Sequence, residues 1–551
     1  MKQILPLVIA LLLTHAPLAA QESENHPSQV TRNLEIFNEI YKALDLYYVD
    51  TLAADTAIQW AIDGMLSRVD PYTTYYPADD EDLRQMATGK YAGIGSIIRY
   101  HTRHDRVVIS EPYQGTPADK AGLKAGDILL SIDGKDIKGM SPTRVTTMLR
   151  GDAGTTFSLR YQRPSEKKPR TVSITRQTIQ LPSVPYSTIL HDSIGYISLT
   201  GFTEGTAREL RGALSQLMAN GATSLILDLR DNPGGSLSEA VDISNLFLPK
   251  GQKIVYTQGK QTATNRQYYT TTDPLCPQLP LAVLVNQGSA SASEIVSGSL
   301  QDMDRAVIIG TRTYGKGLVQ AIRDLPYRGE LKITTSRYYI PSGRCIQAHQ
   351  YNHDGSIKTL PDSLQKEFHT AHGRPVRDGG GINPDIHSQP DTLPTMIYDL
   401  MHSDQYFDWL NNYVSANPTI GEPGHITISD AAYQDFSQYI IAHNFQYNRR
   451  TDEIIKLLRD VARREGYLDI AQDEIQALEA KIKPDLASDL VRHKSVIIPI
   501  LATEIATRRH YQRGAIRQHL TDDPVLHQAI ELLQDTKRYH DILTPYKQQK
   551  K

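Results

Sequence analysis

Gly288-Ser289-Ala290-Ser291-Ala292-Ser293-Glu294 is the stretch on which the reading of this 551-residue chain turns. The apolar run Leu281 to Val285 before it predicts a buried strand, and Glu294 to Leu300 after it predicts a helix. A serine at such a strand-to-helix turn sits where backbone N–H groups point outward and favour negative charge. That geometry suits a nucleophile whose attack creates an oxyanion. The same residues also fit a capping box, Ser291-x-x-Glu294, which involves no chemistry. Taken alone the stretch favours the cap, so the rest of the chain has to decide.

Working outward, residues 185 to 390 read as α/β. Gly195 to Leu199 and Ser224 to Arg230 predict strands, with an amphipathic helix from Ala207 to Asn220 between them. Asp231-Asn232-Pro233-Gly234-Gly235 is a turn, Leu237 to Leu246 a helix, and Ala306 to Gly310 a further strand. Strands alternating with helices argue for a mainly parallel sheet, whose ligands bind beyond the strands' carboxyl ends. The Gly234-Gly235 turn and the Ser291 turn both lie at such ends and are expected to converge.

Three chemistries compete for that site. A Ser-His-Asp hydrolase lacks support, because no Gly-x-Ser-x-Gly is present and neither turn carries a histidine. Nucleotide binding has the P-loop spacing in Gly310-Thr311-Arg312-Thr313-Tyr314-Gly315-Lys316, but Gly317 stands where Ser or Thr would ligate magnesium. A serine–lysine dyad is the third. A neutral amine can take a serine's proton, but free lysine has a pKa near 10.4 and is neutral about once in a thousand at pH 7.5. Burial lowers that pKa. Lys316 is flanked by glycines and by the apolar segments Val307–Ile309 and Leu318-Val319. A surface lysine in a glycine turn is the competing reading. Gln320, four residues on, faces the same side of an extended chain and could aim the amine, or could simply be solvated.

Hydrophobic residues at 40% and charged residues at 22% are ordinary for a soluble protein, and the length predicts about three domains. A net charge of −3 gives no reason to expect nucleic acid. Lys2, the apolar run Ile4 to Leu13 and small Ala19-Ala20 follow the order of a secretory signal peptide, predicting export into a periplasm or cell envelope. Cys276 and Cys345 are the two cysteines and either pair or stay free. Arg32 to Arg68 shows helical spacing, ended by Asp70-Pro71. From about Thr392 onward the chain is helical again, without a catalytic motif.

Between these regions the pattern changes to short strands punctuated by glycine, from Tyr91-Ala92-Gly93-Ile94-Gly95-Ser96-Ile97-Ile98 through Gly126-Asp127-Ile128-Leu129-Leu130-Ser131-Ile132-Asp133-Gly134 to Arg176. This segment resembles a PDZ domain. The N–H groups of Gly93-Ile94-Gly95 would hold a terminal carboxylate, and the strand from Ser96 and Ile97 would offer an edge to an extended peptide.

Ser291 in its serine run, Lys316 in Tyr-Gly-Lys-Gly and Gln320 together resemble the active site of the carboxy-terminal processing proteases, the S41 serine peptidases with a PDZ domain. Further shared motifs are Arg230-Asp231-Asn232-Pro233-Gly234-Gly235, Pro341-Ser342-Gly343-Arg344 and Gly381-Ile382-Asn383-Pro384-Asp385. The resemblance covers roughly residues 30 to 390. It implies Ser291 as nucleophile, with Ser289 and Ser293 as rivals, Lys316 as general base and Gln320 as its orienter. The oxyanion hole falls to the N–H of Ala292 and of Gly234 or Gly235, the choice between them left open.

The expected architecture is α/β multidomain, a parallel-sheet protease core with a PDZ-like β module and flanking helical N- and C-terminal domains. Its boundaries are 1–20 signal peptide, 21–86 helical, 87–180 PDZ-like, 181–390 protease and 391–551 helical. The expected function is an exported endopeptidase that binds substrate C-termini through the PDZ domain and cleaves through an acyl-enzyme. The alternative is a silent PDZ scaffold or envelope chaperone on the same fold. No metal or cofactor is expected, since neither His-Glu-x-x-His nor a paired-cysteine set is present. Expected partners are protein or peptide substrates, with an adaptor or a second copy on the C-terminal helices.

Overall fold

The computed structural model describes residues 26–78, 85, 88–352, 354, 356–389, 393–482 and 485–544. The signal peptide expected at 1–20 and the boundaries drawn at 86/87 and 390/391 lie outside the described residues.

Runs of apolar residues without alternation form the central sheet, as burial on both faces requires. Its six strands lie in the order Tyr186–Leu190, Ile194–Ser198, Ser224–Asp228, Leu281–Val285, Val307–Gly310 and Ile386–His387. The first pair is antiparallel and the rest are parallel. Side chains alternate between two cores. Leu225, Leu227, Leu281, Val283 and Ile308 face the helices Thr206–Ala219, Leu237–Ser244 and Ala292–Asp302. Ile226, Ala282, Leu284, Val307 and Ile309 face Leu526, Ile530 and Leu533 of the helix Pro524–Gln534 and Tyr539 of the helix Thr536–Leu543.

This second core ties the C-terminal helices to the protease sheet. From Thr395 the described residues are largely helical, and the helices Pro524–Gln534 and Thr536–Leu543 form a layer of the protease core. Arg230 fixes the junction by bonding both Asp228, at the end of its strand, and Asp523, which caps the helix Pro524–Gln534.

A second sheet, antiparallel, was not expected from the sequence. It joins Glu330–Tyr339 to Leu318–Asp324, to Lys253–Gly259 and to Thr74–Tyr76. The N-terminal region is therefore not wholly helical. After the helices His26–Tyr47 and Ala54–Leu66, residues Thr74–Tyr76 pair with Glu330–Lys332 of the protease.

The PDZ module has the sheet order Ser96–His101, Arg106–Pro112, Ile128–Ile132, Thr156–Gln162, Arg170–Thr175, around a core that includes Ile109, Leu129, Val145, Phe157 and Leu159. Ser96–His101 and Arg170–Thr175 are its two edge strands. The hairpin next to Ser96–His101 packs on the helical region, where Phe407 meets Val108 and Ile128. Cys276 and Cys345 are both free thiols. Among the described residues no helix is long and apolar enough to cross a membrane.

Candidate active site

The three serines of the opening run are separated by what their hydroxyls touch. Ser289 Oγ donates to Leu229 O at 2.7 Å and accepts from Asn286 N at 3.0 Å. Ser293 Oγ donates to Asn232 O at 2.9 Å. Both residues are fully buried, so neither hydroxyl can meet a substrate. Ser291 is half-buried, and among the described residues its hydroxyl donates to no acceptor. Its φ of +54° is a left-handed value that a residue with a Cβ rarely adopts. Such strain persists where the surroundings over-determine it. Ser291 stands at the head of the helix Ala292–Asp302, whose first N–H, that of Ala292, needs a partner from outside the helix.

The Asn232-Pro233-Gly234-Gly235 turn presses against this serine. A Cβ on Gly234 would lie 2.5 Å from Ala290 O and 2.9 Å from Ser291 Cβ, so only glycine permits the approach. Buried Asn232 holds the turn, donating to Leu199 O at 2.7 Å and accepting from Gly234 N at 2.9 Å. That second bond commits the N–H of Gly234. Among the described residues the N–H of Gly235 donates to nothing, which distinguishes the two glycines.

The lysine arrives on a different element but hangs from the same carboxylate. Glu294 is fully buried and accepts four hydrogen bonds: from Ser291 N at 2.9 Å, Lys316 N at 2.8 Å, Gly315 N at 2.7 Å and Thr313 Oγ1 at 2.5 Å. Burial pushes its pKa up to about 7, against the downward pull of these donors. The residue read as a helix cap is thus the tie between the two halves of the site. The capping box was its signal in the sequence, but Gly315 and Lys316 as its other partners were not legible there.

Burial, and then the charge of Lys332, lower the Lys316 pKa, while Glu294 and Asp70 oppose that shift. Its Nζ lies 4.2 Å from the centroid of the Tyr72 ring. The Tyr72 hydroxyl meets those of Tyr314 at 3.3 Å and Tyr351 at 3.1 Å. Asp70 sets this segment by accepting from Tyr72 N and Thr73 N, both at 2.8 Å. Asp70-Pro71 was read only as the end of a helix, so Tyr72 was missed. Among the described residues no hydrogen bond joins the Lys316 ammonium to Ser291.

Gln320 departs from its expected position. Its Nε2 donates to Thr334 Oγ1 at 3.1 Å, and no hydrogen bond between its amide and Lys316 is found among the described residues. The strand Leu318–Asp324 begins two residues after Lys316, so the extended chain on which the i, i+4 expectation rested does not run from Lys316 to Gln320.

In the PDZ module the carbonyls of Ile94 and Gly95 accept from Ala118 N at 2.8 Å and Tyr113 N at 3.0 Å. Among the described residues the N–H groups of Ile94 and Gly95 donate to nothing. Gly93 ends the preceding strand, Ser96 Oγ is buried without a hydrogen-bond partner, and Ile97 is exposed beside a bulge.

The profile of peptidase family S41 matches residues 193–357. That of a PDZ domain matches 108–163, and that described as "probable PDZ-protease, C-terminal helical domain" matches 396–533. The carboxy-terminal-processing protease of Bartonella bacilliformis is 37% identical over 335 residues, which are 60% of this chain and 76% of that protein. A probable CtpA-like serine protease of Staphylococcus aureus is 34% identical over 332 residues, 59% of this chain and 65% of that protein. Among solved structures, the photosystem II D1 C-terminal processing protease is similar at 28% identity and a TM-score of 0.36, covering 65% of this chain and 94% of that one.

Proposed function

The chain belongs to the carboxy-terminal-processing proteases, serine peptidases of family S41, and on that footing we propose that it is an exported endopeptidase working through a Ser291–Lys316 dyad. The observation that carries this reading is Glu294, one buried carboxylate holding the backbones of both residues.

The chemistry follows from the groups in place. Neutral Lys316 takes the proton of Ser291 Oγ as the oxygen attacks the scissile carbonyl. The N–H groups of Ala292 and Gly235 donate to the oxyanion, and the glycine assignment rests on the commitment of the Gly234 N–H to Asn232. Lys316 returns the proton to the leaving amine, and water releases the acyl group with Lys316 again as base. To reach Oγ the ammonium must leave the Tyr72 ring, and Gln320 orients it after that move. The PDZ domain binds the substrate's C-terminus, with the carboxylate on the N–H groups of Ile94 and Gly95 and the peptide as an added strand on Ser96–His101. Export rests on the order of residues 2–23. An adaptor or a second copy would meet the exposed Ile454, Leu457 and Leu458 of the helix Arg450–Glu465.

Lys316 resting on Tyr72 is the observation on the side of the silent scaffold. A serine-directed probe separates the readings. Labelling of Ser291 that appears or rises on adding a peptide with a free C-terminus supports a resting enzyme, and no labelling with or without peptide supports the scaffold. Near-normal peptide cleavage by Lys316→Ala would remove the dyad.

A further inference from the structure

At the seam between the PDZ module and the helical region we propose a divalent-cation site, of the kind that takes zinc, formed by His101, His104 and Asp408 with Asp404 behind His101. His101 ends the strand Ser96–His101, and a turn closed by Asp105 N donating to Thr102 O at 3.1 Å brings His104 back over it. The two imidazoles stack with centroids 4.3 Å apart, tilted by 33°. Asp404 and Asp408 are one turn apart on the helix Asp404–Ala416 and so share the face toward them. One ligand atom from each of His101, His104 and Asp408 lies within 4.8 Å of the others.

His101 is the buried member of the three. It is 1% exposed, and its Nδ1 has no hydrogen-bond partner. Its Nε2 lies 3.0 Å from Asp408 Oδ1, while Asp404 Oδ2 is 3.6 Å from Nδ1. Without a cation a neutral His101 has one nitrogen badly placed: a proton on Nε2 strands the Nδ1 lone pair, and one on Nδ1 sets the Nε2 lone pair against a carboxylate, while only a charged ring would pair with both Asp404 and Asp408. A cation on Nε2 would take both the imidazole and Asp408 as ligands and keep the ring neutral, with Nδ1–H on the side of Asp404, 3.6 Å away. That is the carboxylate–histidine–metal arrangement common around metal ligands.

Arg99 pairs with Asp404 at 3.1 Å and Arg103 with Asp408 Oδ2 at 3.5 Å. Thr102 N donates to Asp404 Oδ2 at 2.8 Å. These contacts fix the carboxylates and leave Asp408 Oδ1 toward the histidines. They also offset its charge, so this site is weaker than a closed four-ligand one. Two imidazoles and one carboxylate are a donor set suited to zinc, with room for a water or further ligand. Bound there, the ion would clamp the PDZ hairpin to the helical region.

The test uses the full-length chain free of any tag. After dialysis against zinc with a weak competing chelator, the parent is expected to keep one ion per chain and to gain thermal stability. His104→Ala and Asp408→Asn are expected to lose that ion and that gain, and Asp404→Asn to bind about 10–100-fold more weakly. Cobalt(II) added to the parent alone should give the intense visible bands of a four-coordinate ion, a readout that needs no variant to fold. A parent that holds no more zinc than His104→Ala, or that shows only the pale spectrum of hydrated cobalt, overturns the site and leaves a stacked, hydrogen-bonded histidine pair.

Discussion

The serine half and the lysine half of the site are built differently. Around Ser291 the supports are buried backbone and side-chain bonds at the carboxyl ends of parallel strands, from Leu199, Leu229 and Asn232. Around Lys316 they come from far along the chain, since Tyr72 meets Tyr314 across 242 positions and Tyr351 across 279. The serine is held in a strained but over-determined turn, whereas the lysine's ammonium rests on an aromatic face contributed by the N-terminal region. A serine fixed by its own sheet beside a lysine resting on a ring from another region is the lesson of the contrast, and Glu294 is where the two meet.

The largest expected effect separates the serines. Ser291→Ala and Lys316→Ala should each cut peptide cleavage by about a thousandfold or more while the fold stays intact by circular dichroism. Ser289→Ala and Ser293→Ala should each lose about 1 kcal/mol of stability, measured by urea unfolding, with cleavage per folded molecule largely kept. Retained activity in Ser291→Ala would break the contrast at its root.

Glu294→Gln comes next. Its amide N–H₂ faces donors where a carboxylate oxygen accepted them, leaving two groups unsatisfied at about 1–3 kcal/mol each. Turnover should fall at least tenfold. The parent's pH dependence sharpens the point. Burial raises this carboxyl from 4.5 to about 7, so the folded chain holds the proton more tightly than the unfolded one. Its contribution to stability is therefore complete below about pH 4.5 and is lost as pH rises through 7. Activity should move the opposite way over that window, because only the ionised form accepts all four bonds, and should keep rising as Lys316 loses its proton. In Glu294→Gln the stability change across that window should vanish. A parent rate that is flat from pH 5 to 9 would count against both groups.

Gln320→Ala should lower kcat about tenfold with little change in KM if the amide turns to the lysine during turnover. An unchanged kcat would leave Gln320 as a partner of Thr334 alone. The smallest effect belongs to Tyr72→Leu. Removing a cation–π contact of about 0.5–1 kcal/mol should shift the lysine limb of the pH–rate profile down by roughly half a unit, while Tyr72→Phe keeps the ring and the limb. No difference between those two variants would mean that the ring does not hold the ammonium.

The parts legible in advance were those whose signals are local. Leu281–Val285 was expected with its bounds, because five apolar residues between turn signals leave little choice. The strand Ser224–Asp228 and the helix Leu237–Ser244 were placed to within two residues at their ends. The antiparallel sheet was not anticipated. Its strands are short or half-exposed, and Thr74–Tyr76 pairs with residues more than 250 positions away. Gln320 went astray because the strand starts only at Leu318, after the lysine, and the sequence does not mark that boundary.

By itself, then, the sequence determined the run of strands and turns, the glycines that let Gly234 approach Ser291, and the residue types of a serine–lysine site. The tertiary structure alone decided which serine has a free hydroxyl, that Glu294 ties both halves of the site, and that Tyr72 covers the lysine. It also decided that the final helices complete the protease core. The physical reason is that periodicity encodes which face of an element is buried, while the distant segment that covers that face is chosen by packing and by the pairing of buried polar groups.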